Sequence, residues 1–101
     1  MNELQIFENP QFGEIRAVEK DGEPWFVAAD VCKALELGET HVAMRRLDDD
    51  EKDRYLIPTP GGDQESSIVN EPGLYSLVLG SRKPEAKAFK RWITHEVIPS
   101  I

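Results

Sequence analysis

The sequence predicts an α+β fold, and three observations predict it. Short runs of strand composition are separated by turn-forming residues, four stretches carry apolar residues at helical spacing, and the two kinds come in blocks. Strict alternation would build a parallel α/β sheet, whereas blocks build short antiparallel strands and hairpins with about four helices beside them. A chain of 101 residues with 40% hydrophobic and 31% charged content is long enough for one core and too short for two. Residues 1–101 are therefore read as a single domain.

Residues 4–7 read as a short strand, and Asn9, Pro10 and Gly13 supply turn chemistry before a second run at 14–19. Asp21-Gly22 tolerates the positive φ of a two-residue hairpin loop, so it predicts a tight return into a strand at 24–27. Helical patterns follow at 28–37 and 41–47. Beyond an acidic stretch, strands at 54–59 and 65–69 flank Pro60-Gly61-Gly62-Asp63, which reads as a wide turn. Asn70 is placed to cap a helix at 73–79, with Glu71 and Pro72 in its first turn and Gly80 at its stop. The last helix is predicted over 84–97, bounded by Pro84 and Pro99. Ala86, Phe89, Ile93 and Val97 share the arc that faces a core, and Trp92 reads as a core residue beside them.

Charge is polarised along the chain. Within a net charge of −7, residues 81–101 carry five cations (Arg82, Lys83, Lys87, Lys90, Arg91) against two acids, while residues 1–80 carry seven basic against seventeen acidic side chains. Lys83, Lys87, Lys90 and Arg91 fall on one arc of the last helix, which at roughly 14 residues is about 20 Å long. That length lies across several phosphates. The acidic remainder argues against indiscriminate coating of nucleic acid, since only a local patch can attract it.

A second candidate element has helix-turn-helix spacing. Val31, Ala34, Leu35 and Val42 would join two helices, Thr40 would cap the second, and His41, Met44 and Arg45 would point outward. Arg45 or Arg46 would then reach base edges, although the same two helices also make an ordinary core corner. The run Asp48-Asp49-Asp50-Glu51 that follows lacks the alternation and glycine of a calcium loop, and reads as a solvated helix exit. Enzyme chemistry is poorly supplied: His41 and His95 are isolated, and Cys32 lies on an apolar helix face as a small core residue. No catalysis, cofactor or metal is expected. The lone cysteine, the absence of a ~20-residue apolar run and the lack of a signal pattern place the protein in the cytoplasm, with no membrane contact.

The words NEPGLYSLVLGSRKPEAKAFKRWITHEVIPSI, preceded by GEPWFVAADVCKALEL and LDDDEK, closely resemble the Bro-N domain. This is the N-terminal module of phage antirepressors and of the baculovirus repeated-ORF proteins, and the likeness runs from about residue 7 to residue 101. The resemblance implies a phage or prophage origin, a bacterial host cell, and DNA binding in transcription regulation. It also implies a separate C-terminal partner domain, which is not in this chain. Arg82, Lys83, Lys87, Lys90 and Arg91 are then expected on phosphates. The alternative is a protein-interaction module that inactivates a phage repressor, its acidic surface standing in for DNA. Because a few cations set against an acidic remainder give weak binding, tight binding is expected to need a homo-oligomer or the C-terminal domain.

Overall fold

The computed structural model describes residues 4–101. It contains β1 (Gln5–Asn9), β2 (Gly13–Lys20), β3 (Glu23–Val27), α1 (Ala28–Leu35), α2 (Thr40–Met44), β4 (Lys52–Thr59), β5 (Gly62–Asn70), α3 (Glu71–Leu79) and α4 (Ala86–Trp92). A 3-10 turn at Asp49–Glu51 precedes β4, and α4 runs on into a π-helical turn at Ile93–Val97 and a 3-10 turn at Ile98–Ser100. The strands form one antiparallel sheet in the order β1-β2-β3-β5-β4, so the α+β expectation holds.

Alternation along the strands gives the sheet two different faces. Ile15, Ala17, Phe26 and Val69 point toward the helices and join Val31, Leu35, Leu74, Leu77, Phe89 and Ile93 in the main core. Val18, Trp25, Val27, Ile57 and Ile68 form a smaller buried cluster on the opposite side. Lys20 lies over the rim of that cluster, its Nζ 5.0 Å from the Trp25 ring centre and 3.1 Å from Asp53 on β4.

The turns follow their residues. Asp21 and Gly22 have φ of 53° and 78°, and they join Lys20 to Glu23 as the two-residue loop expected of Asp-Gly. In the loop after β1, the Asn9 side-chain oxygen accepts from the backbone N–H groups of Gln11 at 2.8 Å and Phe12 at 3.2 Å. That local turn drives the Phe12 ring inward, where it is 8% exposed.

Two helices start directly from strand ends. Asp30, in the first turn of α1, accepts from Arg16 Nε at 2.8 Å, Arg16 Nη2 at 2.9 Å and the Arg16 backbone N–H at 3.0 Å. The two-pronged contact ties α1 to β2 just past the last β2–β3 pair, Ala17 with Phe26, and the carboxylate holds the guanidinium above its ordinary pKa. Asn70 caps α3 as expected: its Oδ1 accepts from Gly73 N–H at 3.0 Å, while its Nδ2 donates to the Asp50 carbonyl at 2.9 Å. Gly73 fits because a Cβ there would stand 2.7 Å from the Glu51 carbonyl oxygen. The acidic run is thereby packed against the head of α3, and Asp48 and Glu51 close a capping box on its 3-10 turn.

The last helix departs from the single α-helix expected at 84–97. It begins at Ala86, and after Trp92 its ladder widens, with Ile98 N–H donating to Ile93 five residues back. Two side chains favour the change. Pro99 has no N–H to give to the preceding turn, and the Thr94 hydroxyl donates to the carbonyls of Lys90 at 3.0 Å and Arg91 at 3.2 Å.

Phe89 is fully buried and meets Phe12 edge-on, with ring centres 5.2 Å apart. Replacing it with alanine removes both core volume and that aromatic contact. Phe89→Ala is expected to destabilise the fold by about 3–5 kcal/mol, read from chemical denaturation. A midpoint equal to that of the parent protein would contradict this packing.

Candidate nucleic-acid interface

Lys87, Lys90 and Arg91 are exposed on α4, and they line one surface cleft of about 290 Å³ together with Thr94 and His95 of the π turn. Among the described residues, no acid lines this cleft. Spacings of four residues from Lys87 through Arg91 to His95, and from Lys90 to Thr94, put all five on one side of the helix. His95 was therefore legible in the sequence as a neighbour of the cations, although the reading of residue types alone left it isolated. Lys90 Nζ sits 5.5 Å from the centre of the Tyr75 ring, and the Tyr75 hydroxyl donates to Glu71 Oε2 at 2.6 Å. Contacts with α3 thus brace one cation of the cleft.

Other expected site residues lie elsewhere. Lys83 is only 18% exposed along its side chain, and its Nζ donates to the Ala34 carbonyl at 3.1 Å and pairs with Glu36 Oε2 at 2.8 Å. It also lies 5.7 Å from the Phe12 ring centre. The Ser81 hydroxyl donates to the Leu35 carbonyl at 2.9 Å. The segment between α3 and α4 thus satisfies carbonyls that α1 leaves unpaired at its C-terminus, where a cation also complements the dipole. Lys83 is engaged within the fold and does not line the cleft on α4. Arg82 is exposed, but its cleft is shared with Glu36 and Glu85.

The helix-turn-helix assignment is corrected in three respects. Val42 is 47% exposed instead of packing inward, and Met44, expected outside, is 8% exposed. Ala43, Met44 and Leu47 make the buried stripe instead, because Leu47 continues past the helix and rotates α2 toward the core. Thr40 does not cap α2; Glu39 holds the cap position. At five residues α2 is about 7.5 Å long, short for a helix that must follow a groove. Arg45 is exposed at its end, without a side-chain partner among the described residues. Arg46 reaches the end of α3, its Nη1 2.5 Å from where a Cβ on Gly80 would stand. These two arginines do not line the cleft on α4.

The chemistry for catalysis is not assembled around Cys32. The thiol is buried and burial pushes it up, while His41 pairs at 3.4 Å with Glu39 on the exposed end of α2. Among the described residues, no group of three His, Cys, Asp or Glu side chains is placed to hold a metal ion, and no helix is long and apolar enough to cross a membrane.

The Tyr75 phenol is pushed up to about 12, first by burial and then by its bond to Glu71. Folding therefore favours the neutral phenol, whose ordinary pKa is about 10. This contribution to stability is complete below pH about 10 and is lost as pH rises through about 12. Tyr75→Phe, which keeps the ring beneath Lys90, is expected to flatten the loss of stability in that window and to remove a late tyrosinate absorbance step. Superimposable alkaline curves for the two proteins would contradict the Tyr75–Glu71 bond.

The sequence is similar to those of known proteins. The model of the BRO family, N-terminal domain, matches residues 14–99. An uncharacterised protein of Haemophilus influenzae (strain ATCC 51907 / DSM 11121 / KW20 / Rd) is 43% identical over 84 residues, covering 79% of this chain and 40% of that protein. Bro-N domain-containing protein 289L of Invertebrate iridescent virus 6 is 31% identical over 97 residues, covering 77% of this chain and 23% of the viral protein. Protein 201R of the same virus, also described as containing a Bro-N domain, is 26% identical over 100 residues, covering 78% and 24%. The chain spans less than half the length of these relatives, and no solved structure matches it. With the family match extending over residues 14–99, most of its length, this chain belongs to the BRO family and carries its N-terminal domain.

Proposed function

We propose that the protein is a DNA-binding regulatory module of a phage or prophage antirepressor, acting without catalysis in the cytoplasm of a bacterial host. The observation that carries this reading is the cleft of Lys87, Lys90, Arg91, Thr94 and His95, lined by no acid among the described residues, in a protein whose net charge is −7. Phosphates attract cations wherever they meet them, so a cluster of three cations beside an imidazole offers both charge and N–H donors. The acidic remainder limits contact with DNA to this side. Arg82 adds a fourth cation at the entry to α4.

A second reading is capture of a phage repressor. It is favoured by the exposed carboxylates of Asp48, Asp49 and Asp50, which present consecutive negative charges before β4. Under this reading the protein retains the repressor in the absence of DNA, and charge reversal at α4 leaves that retention intact.

With three or four phosphates neutralised, log K against log[salt] is expected to fall with a slope of about −2.7 to −3.6. Lys87→Glu combined with Lys90→Glu should weaken binding equally for all duplex sequences, because phosphate contacts position the protein without reading bases. Gel shifts with random duplex DNA measure both effects. An unchanged shift in the folded double variant would remove α4 from the interface.

A further inference from the structure

The cleft of cations has a neighbour with a different character. Gln11, Phe12, Trp92 and Glu96 line a second cleft, and its remaining wall includes Arg91 and His95, which also line the first. Arg91 and His95 therefore form a ridge between the two. On the Lys87 and Lys90 side no carboxylate is present among the described residues, whereas Glu96 on the far side repels phosphate. A strand that seats its backbone in the first cleft must turn an uncharged part toward the second.

The second cleft is also built to hold donors and acceptors in place. Phe12 and Trp92 stack at its edge, with ring centres 6.3 Å apart and planes 23° from parallel. The Asn9 side chain fixes the loop through the backbone N–H of Gln11 at 2.8 Å. The Gln11 side chain is exposed, and its amide has no hydrogen-bond partner among the described residues. An amide paired with both a carbonyl and an N–H₂ matches the N7 acceptor and N6 donor on the major-groove edge of adenine, and a free carboxylate matches the N4 amino group of cytosine.

We propose that the loop between β1 and β2 is the base-reading element of this domain, with Gln11 contacting adenine and Glu96 contacting cytosine while Lys87, Lys90 and Arg91 hold the neighbouring phosphates. The proposal rests on the DNA-binding reading above and adds sequence recognition to it. It assigns recognition to a loop wedged against α4, and not to the short helix α2.

The test is selection of preferred duplexes from a randomised pool by the intact chain, followed by binding of the selected duplex and its single-base variants to the parent protein, Gln11→Ala and Glu96→Gln. Both positions are exposed, and circular dichroism confirms that the variants fold. Gln11→Ala should lower the preference for adenine at one position by about 5- to 150-fold, with the salt slope unchanged. Glu96→Gln should relax a cytosine preference at a nearby position. Uniform weakening across all sequences, or a parent protein that binds DNA but selects no sequence, would overturn the proposal while leaving the phosphate reading in place. A parent protein that binds no DNA would remove both.

Discussion

The aromatic contact among Phe12, Phe89 and Trp92 fixes the geometry on which the rest of the α4 surface depends. Phe89 is fully buried, its ring meets Phe12 at 5.2 Å, and Trp92 lies 6.1 Å from Phe89 along the same helix. One partner comes from the loop after the first strand and the other two from α4. These rings therefore lock the two ends of the described chain together, and they set the rotation of α4. With Phe89 and Ile93 held in the core, Lys87, Lys90 and Arg91 have no direction left but outward. The burial that stabilises the fold also presents the charge.

Electrostatics then divides the surface. The acidic run at Asp48–Asp50 caps its own turn and abuts the head of α3, so its charges have a structural use away from α4. Lys83 shows the same economy in reverse, since a cation counted toward a patch is consumed on the C-terminal carbonyls of α1. Net charge per segment therefore overstates the cations available for a partner. Four exposed cations remain at α4 and its entry, and three of them share one cleft that no described acid lines.

Much of the fold was legible in the sequence because its signals are local. Asp21-Gly22, Asn70 followed by Glu71-Pro72, and the spacing of Phe89, Ile93 and Val97 each act within a few residues, and each is found as expected. Rotation of a short helix is not a local property. Val42 and Met44 are both apolar, and only the anchoring of Leu47 in the core decides which faces inward. The fate of Lys83 depends on Ala34 and Glu36, nearly fifty residues earlier, so its spacing from the cations of α4 could not reveal it. Gln11 was hidden for a related reason: it is near Arg91 only because the Phe12 ring draws its loop onto α4.

The central claim is that α4, its π turn and the loop after β1 form one continuous nucleic-acid surface from which α2 is excluded. Amide chemical-shift mapping during titration of the ¹⁵N-labelled protein with duplex DNA tests this directly. The account predicts that the perturbed amides cluster at residues 9–12 and 87–96, while residues 40–46 stay unperturbed. Shifts concentrated at 40–46, with α4 silent, would contradict it and restore the helix pair as the DNA-contacting element.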